Sequence, residues 1–250
     1  MQTNKIYNEN CLDTMKRMQE NFIDLTITSP PYDNLRTYKG YSFDFKSIAK
    51  ELYKITKEGG VVVWNVNDAT IKGSETGTSF RQALYFIECG FNLHDTMIYQ
   101  KTGTPFPSRF RYNQSFEYMF ILSKGKPKTF NPIMKKNKFG GDFRKQTTTR
   151  RNEYGIENNI WKIKNGGGVS TKDKIAFKHP AIFPEKLVHK HIISWSNEND
   201  LIYDCFMGSG TTAKIAMLNK RNYIGSEISK DYTDLANKRL EQYNKQTNLF

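Results

Sequence analysis

Leu201-Ile202-Tyr203-Asp204-Cys205-Phe206-Met207-Gly208-Ser209-Gly210-Thr211-Thr212-Ala213 runs from an apolar strand through a glycine turn into the start of a helix. A strand that gives way to small residues and then to a helix belongs to an open α/β sheet. Its turn suits an anion or a nucleotide, because small residues let the backbone approach closely and the helix N-terminal amides attract negative charge. Nineteen residues after Gly208 stands Glu227, at the end of the next strand-like run, where a carboxylate can accept both ribose hydroxyl protons. A phosphate-binding P-loop is excluded, since no Lys follows the second glycine. Gly208 to Ala213 does fit G-x-G-x-x-A, but the roughly 40 residues that follow are too few to complete a dinucleotide domain. S-adenosylmethionine is then the expected ligand: its carboxylate would meet the helix amides, its ribose Glu227, and Asp204 would lie beside its cationic end. Phe206, Ser209, Thr211 and Thr212 complete the candidate cofactor loop. The competing account is a turn with no ligand.

Outward from this loop, strand-like runs at Phe22 to Thr28, Gly60 to Val66 and Phe91 to Gln100 alternate with helical patterns at Asp44 to Thr56 and Ser79 to Glu88. That alternation predicts a parallel sheet with covering helices. Ser115 to Leu122 is a further strand-like run, expected to form an antiparallel edge with its predecessor. Downstream, a helix is expected near Pro184 to Trp195, strands at Asp200 to Asp204 and Asn222 to Ser226, and helices at Thr211 to Asn219 and from Ser229 onward.

The strand Ile23 to Thr28 runs into Ser29-Pro30-Pro31-Tyr32. Two prolines end the hydrogen-bonded ladder and fix φ, so groups here point in set directions at the carboxyl end of a strand, where open α/β sheets bind ligands. The Ser29 hydroxyl and Pro30 carbonyl can accept N–H hydrogen bonds, and Tyr32 offers a face for stacking a planar base. Alternatively the prolines merely end a strand and Tyr32 is a core aromatic.

The formal charge of +13 over 250 residues points to a polyanion as partner. No apolar run approaches the ~20 residues of a spanning helix and the N-terminus has no signal-like apolar segment, so a cytoplasmic protein is expected. Residues 124–178 hold fifteen basic side chains against four acidic ones, a net +11, and lose the apolar periodicity. This stretch reads as an insertion. Its Lys and Arg, Lys145 among them, can neutralise phosphates, and among Arg144, Gln146, Arg150 and Arg151 some can read base edges. Arg36 and Lys39, interleaved with Tyr38 and Tyr41, form a second candidate DNA-facing loop, core packing being the alternative for the tyrosines. Cys11, Cys89 and Cys205 are odd in number and widely spaced, which suits reduced thiols better than a disulfide framework. His189 and His191, two apart, do not share a helix face, and no metal is expected.

Together the tetrapeptide and the glycine loop resemble the beta-class amino DNA methyltransferases of restriction-modification systems, in the circularly permuted order with the catalytic motif first. In that family Asp-Pro-Pro-Tyr marks most adenine enzymes and Ser-Pro-Pro-Tyr most cytosine-N4 enzymes. The resemblance therefore implies methyl transfer from S-adenosylmethionine to cytosine N4, with adenine N6 as the alternative. It spans most of the chain: Asn8 to Met15 is similar to the cofactor-adenine segment, with Asn10 and Cys11 as candidate contacts, although Glu9-Asn10 stands where relatives commonly have Gly-Asp. Lys178 to Pro184 is similar to the motif that brings His179 near the cofactor, and Phe116 to Met119 to the late strand. The implied fold is a mostly parallel, seven-stranded, Rossmann-like α/β sheet with Lys5 to Tyr7 as its third strand. Residues 1–123 would form the catalytic region, 124–178 the target-recognition insertion and 179–250 the cofactor-binding region of the same domain. Double-stranded DNA is the implied partner, a cognate restriction endonuclease a further one, and monomer and homodimer both stay open.

Overall fold

Apolar runs become strands, and the amphipathic segments between them become the helices that cover the sheet. The computed structural model describes residues 1–31, 43–102, 110–138, 152–166 and 168–247. Among these, β1 (Lys5–Tyr7), β2 (Ile23–Thr28), β3 (Thr56–Val66), β6 (Asn92–Lys101), β7 (Phe116–Ser123), β10 (Ile160–Ile163), β11 (Leu201–Asp204) and β12 (Asn222–Ser226) form one sheet. Its order is β1-β12-β11-β2-β3-β7-β6-β10. Every pairing is parallel except those of β7, which runs against both β3 and β6. Two small hairpins stand apart, β4 (Thr70–Ile71) with β5 (Ser74–Glu75) and β8 (Met134–Lys136) with β9 (Tyr154–Ile156).

The helices are α1 (Cys11–Lys16), α2 (Phe45–Ile55), α3 (Thr78–Glu88), α4 (Glu185–Trp195), α5 (Thr211–Leu218) and α6 (Lys230–Thr247), with a 3-10 turn at Lys174–Lys178. Side chains alternate across the sheet and so build two cores. Val61 and Val63 pack with Leu187, Ile192, Ala213, Ala236 and Leu240 from α4, α5 and α6. Val62, Trp64 and Val66 pack with Met15, Ile48, Leu52 and Phe86 from α1, α2 and α3. Strands β2 and β11 lie in the middle, covered on both faces, which is why they read as nearly continuous apolar runs.

The expected seven strands are corrected to eight. Ile160-Trp161-Lys162-Ile163, inside the basic stretch, buries Trp161 and Ile163, exposes Ile160 and Lys162, and pairs in parallel with β6. Consequently β6 and β7 are antiparallel as expected but do not form the edge: β7 lies between β3 and β6, and β10 takes the outer place.

Candidate cofactor and target-base site

Strands β2 and β11 are parallel neighbours, so Ser29 and the glycine loop emerge on the same side of the sheet. Asp204, the last residue of β11, is buried and accepts three hydrogen bonds there. Its Oδ1 takes the Thr28 hydroxyl at 2.7 Å and the Phe206 amide at 3.0 Å, and its Oδ2 takes the Thr212 hydroxyl at 2.6 Å. Burial raises this carboxyl above the usual Asp range, against the lowering pull of those neutral donors.

Beyond Asp204 the chain passes through Gly208 (φ +51°) and Gly210 (φ +78°) before entering α5. Both positions are in left-handed conformation and both are tight. A Cβ on Gly210 would lie 2.9 Å from the Ala236 Cβ, and one on Gly208 would lie 3.0 Å from His179 Nε2. His179 thus sits against the loop, with Nδ1 2.8 Å from the Ala181 carbonyl and its ring edge-on to Tyr232.

Glu227, just past β12, is also buried. Its Oε2 accepts the Gly208 amide and its Oε1 the Ser229 amide, each at 2.8 Å. The carboxylate therefore holds the shape of the glycine loop, a task the sequence did not reveal. Each oxygen retains a second lone pair for a ligand hydroxyl. Burial raises this group as well, opposed by those amides and reinforced by the nearby charge of Asp204.

The segment expected to touch the cofactor adenine runs beside Glu227: the Asn8 side chain donates to the Glu227 and Ile228 carbonyls at 2.9 and 3.1 Å. Within it, Asn10 caps α1 by accepting the Leu12 amide at 2.9 Å. Cys11 is buried in the core, and desolvation pushes its thiol up to about 12. Glu9, at the departure from the usual Gly-Asp, accepts from Thr14 at 2.6 Å and pairs with Arg17.

Two further groups escaped the sequence reading. Arg239 of α6 has a fully buried side chain (0 % exposed) behind the loop. Its Nη1 donates to the Ser209 carbonyl at 2.9 Å and the Thr211 hydroxyl at 3.0 Å, its Nε to Asp173 at 2.6 Å and its Nη2 to Glu185 at 2.6 Å. Lys214 bonds the same two acids at 2.8 and 2.7 Å, so two cations and two carboxylates tie α4, α5 and α6 to the loop. These cations hold Asp173 down at about 2 despite its desolvation. A second cluster lies at the carboxyl end of β3. Asn65 donates to Glu117 at 2.6 Å and Lys101 pairs with Glu117 at 2.5 Å, one residue beyond the last matched position, Thr28 with Trp64, of β2 and β3.

Pro30 is buried and Ser29 and Pro31 half-buried after β2. Tyr32, Arg36, Lys39, Arg144, Lys145, Arg150 and Arg151 lie outside the described residues.

Residues 23–238 match a family described as DNA methylase. The chain belongs to the DNA methylase family. Among members similar to it is the orphan methyltransferase M.BamHII of Bacillus amyloliquefaciens, 60% identical over 246 residues that cover 90% of this chain and 93% of that one. The type II methyltransferase M1.MboII of Moraxella bovis is 27% identical, covering 97% and 98% of the two chains. In three dimensions this DNA methylase superposes on the PvuII DNA methyltransferase (cytosine-N4-specific) with a TM-score of 0.73 at 24% identity, over 94% of this chain and 85% of that one. A crystal structure of an M1.HpyAVI–SAM complex gives a TM-score of 0.62, also at 24% identity, over 94% and 99%. The mostly parallel α/β sheet is thus that of the methyltransferase fold.

Proposed function

We propose that this DNA methylase transfers a methyl group from S-adenosylmethionine to N4 of a cytosine extruded from double-stranded DNA, as the modification enzyme of a restriction-modification system. The observation that carries the reading is the bond from Thr28 to Asp204, which joins the residue before Ser29 to the strand that opens the glycine loop. A base-holding motif and a cofactor loop tied in this way can bring two reactants together, which is most of what amino methylation requires.

The loop fits S-adenosylmethionine on its own chemistry. Asp204 and Glu227 are two buried acids whose protons are held more tightly than usual, a setting that a cationic ligand relieves. Gly208 and Gly210 leave no room for a side chain. Bound there, the cofactor supplies an electrophilic methyl on a sulfonium.

The protein's share of the chemistry is positioning. The amino nitrogen of cytosine is a poor nucleophile because its lone pair is delocalised into the ring. The Ser29 hydroxyl and Pro30 carbonyl would accept hydrogen bonds from its two N–H groups and so turn the lone pair toward the methyl, and one of those protons would leave to water once the nitrogen carries the methyl. Pro31 fixes the turn, and Tyr32 stacks on the extruded base, offsetting about 1–3 kcal/mol of the cost of flipping. Arg36, Lys39, Arg144, Lys145, Arg150 and Arg151 contact the DNA. Residues 124–178, apart from the sheet strand β10 and Asp173 behind the glycine loop, act as the target-recognition insertion, between a catalytic region at residues 1–123 and a cofactor region at residues 179–250. Ser29 in place of Asp favours cytosine, in keeping with the cytosine-N4-specific name of the PvuII enzyme.

The test is to incubate the protein with unmethylated DNA and isotopically labelled S-adenosylmethionine, digest the DNA to nucleosides and identify the labelled species by mass spectrometry. N4-methyldeoxycytidine is expected. N6-methyldeoxyadenosine would overturn the base assignment and leave the enzyme class standing.

A further inference from the structure

Strand β10 leaves the sheet at the edge from which Ser29 emerges, because β2 and β3 are parallel, β7 runs against both β3 and β6, and β10 is parallel to β6. From there residues 164–178 cross to the glycine loop. The crossing is pinned along its way: the Glu185 amide, at the start of α4, donates to the Ser170 carbonyl at 3.0 Å, and His179, directly after the segment, packs against Gly208. In the sheet β10 and β11 are five places apart, so the segment spans about 24 Å of the catalytic edge at the usual ~4.8 Å between strands.

Residues 164–178 hold four lysines, Lys164, Lys172, Lys174 and Lys178, and a single acid, Asp173. The acid faces inward. Its side chain is 8 % exposed and is bound by Arg239, Lys214 and the Tyr243 hydroxyl. The lysines face the other way: all four are exposed, and none makes an ion pair among the described residues. A single solvated lysine is ordinary. Four of them on one pinned strip, whose only counter-charge is turned into the protein, leave a line of uncompensated positive charge beside the cofactor loop.

The chemistry of lysine says what such a line meets. An ammonium is a point charge without the flat fork that reads a base edge, so it suits phosphate oxygens, and phosphate contacts set the position of a duplex without reading its sequence. The strip is also fastened to the cofactor loop, since Arg239 bonds Asp173 on one side and the Ser209 carbonyl on the other. A backbone held there is held at a fixed place relative to the loop.

We propose that Lys164, Lys172, Lys174 and Lys178 form a phosphate track that seats the DNA backbone along the catalytic edge, whatever the sequence. The inference rests on the DNA-methylation reading and separates this part of the basic stretch from the residues that read bases. Each phosphate neutralised releases condensed counterions, so the track makes binding steeply dependent on salt.

The site methylated by the wild-type protein is first mapped on plasmid DNA, and short duplexes with and without it are made. Affinity for each is measured by fluorescence anisotropy from about 50 to about 200 mM salt. With Lys164→Gln, Lys172→Gln, Lys174→Gln and Lys178→Gln combined, the slope of log affinity against log salt should flatten by about 3 to 4, so that the variant loses roughly 100-fold less affinity than wild type across that range. Each single change should flatten it by about 1. The weakening should be equal on the two duplexes, KM for DNA should rise while kcat at saturating DNA holds, and the four Lys→Arg changes together should behave as wild type. Lys220→Gln, which removes the same charge between α5 and β12 at the opposite edge, should leave the slope as it was. An unchanged slope in the combined variant overturns the track, and so does a loss confined to the duplex that carries the site or an equal flattening in Lys220→Gln. A wild-type protein that methylates no DNA overturns the functional reading itself, an outcome visible before any variant is made.

Discussion

The Thr28 hydroxyl donates to Asp204 Oδ1 across 2.7 Å, joining two strands whose residues are 176 positions apart in the chain. The bond is buried and its acceptor is a carboxylate. Thr28→Val keeps the shape and removes the donor, so one lone pair of a buried acid loses its partner. A loss of about 1–3 kcal/mol in stability is expected, together with weaker cofactor binding. Denaturant unfolding and calorimetry with S-adenosylmethionine check both, and an unchanged affinity would detach Thr28 from the site.

Ser29→Ala removes one proposed acceptor of the target amino group and leaves the glycine loop intact. Transfer to DNA should fall about 100-fold or more while cofactor affinity holds. Full activity in this variant would sink the catalytic role of the tetrapeptide.

Glu227 must be ionised to accept two hydroxyl protons, and burial raises its pKa above the usual Glu range. Acidification therefore protonates it earlier than an exposed glutamate. Cofactor affinity should weaken on acidification, starting at a higher pH than for an ordinary exposed glutamate, and Glu227→Ala should bind some 10-fold or more weakly with a flatter pH dependence. Identical profiles for the two proteins would remove Glu227 from cofactor binding.

Arg239→Met takes one cation from a buried group of two cations and two acids. Loss of about 3–5 kcal/mol is expected, the cost of stranding buried charge. Arg239→Lys keeps the charge but not the fork that reaches Ser209 and Thr211 through Nη1 while Nε holds Asp173 and Nη2 holds Glu185. It should fold and bind S-adenosylmethionine less tightly. A lysine variant with wild-type affinity would limit Arg239 to holding helices together.

His191 lies fully buried between Trp161 and Met119, and desolvation lowers its pKa from 6.5 to about 3. A group whose folded pKa is depressed stabilises the fold above its unfolded pKa and loses that contribution as pH falls toward the folded one. Acid should therefore weaken the protein progressively below about pH 6.5, by at most roughly 5 kcal/mol from this residue by pH 3. In His191→Leu the fall in Tm between about pH 6.5 and 4 should be shallower. Parallel curves for the two proteins would refute the assignment.

Much of the sheet was legible because its strands are apolar runs closed by glycine, proline or asparagine, and the glycine loop announces itself through residues chosen for their small size. The eighth strand was not, since Ile160 to Ile163 offers only one alternation of four residues amid asparagine and lysine. Arg239 was hidden for another reason: on a helix as polar as α6, a buried arginine and a solvated one are the same letter, and only the partners from residues 173 and 185 distinguish them. Thr28 likewise looked like any β-branched strand residue until Asp204 was found opposite it.

Among the described residues, strand β1 has a single neighbour in the sheet, β12, with Ile6 set against Gly225. During synthesis Lys5–Tyr7 therefore leaves the ribosome long before the strand it pairs with, and contacts so distant in sequence form late. Glu227, which shapes the cofactor loop, comes directly after that partner. A nascent chain of this protein thus stays unable to modify DNA until β12 and Glu227 have emerged and paired with a strand made more than two hundred residues earlier.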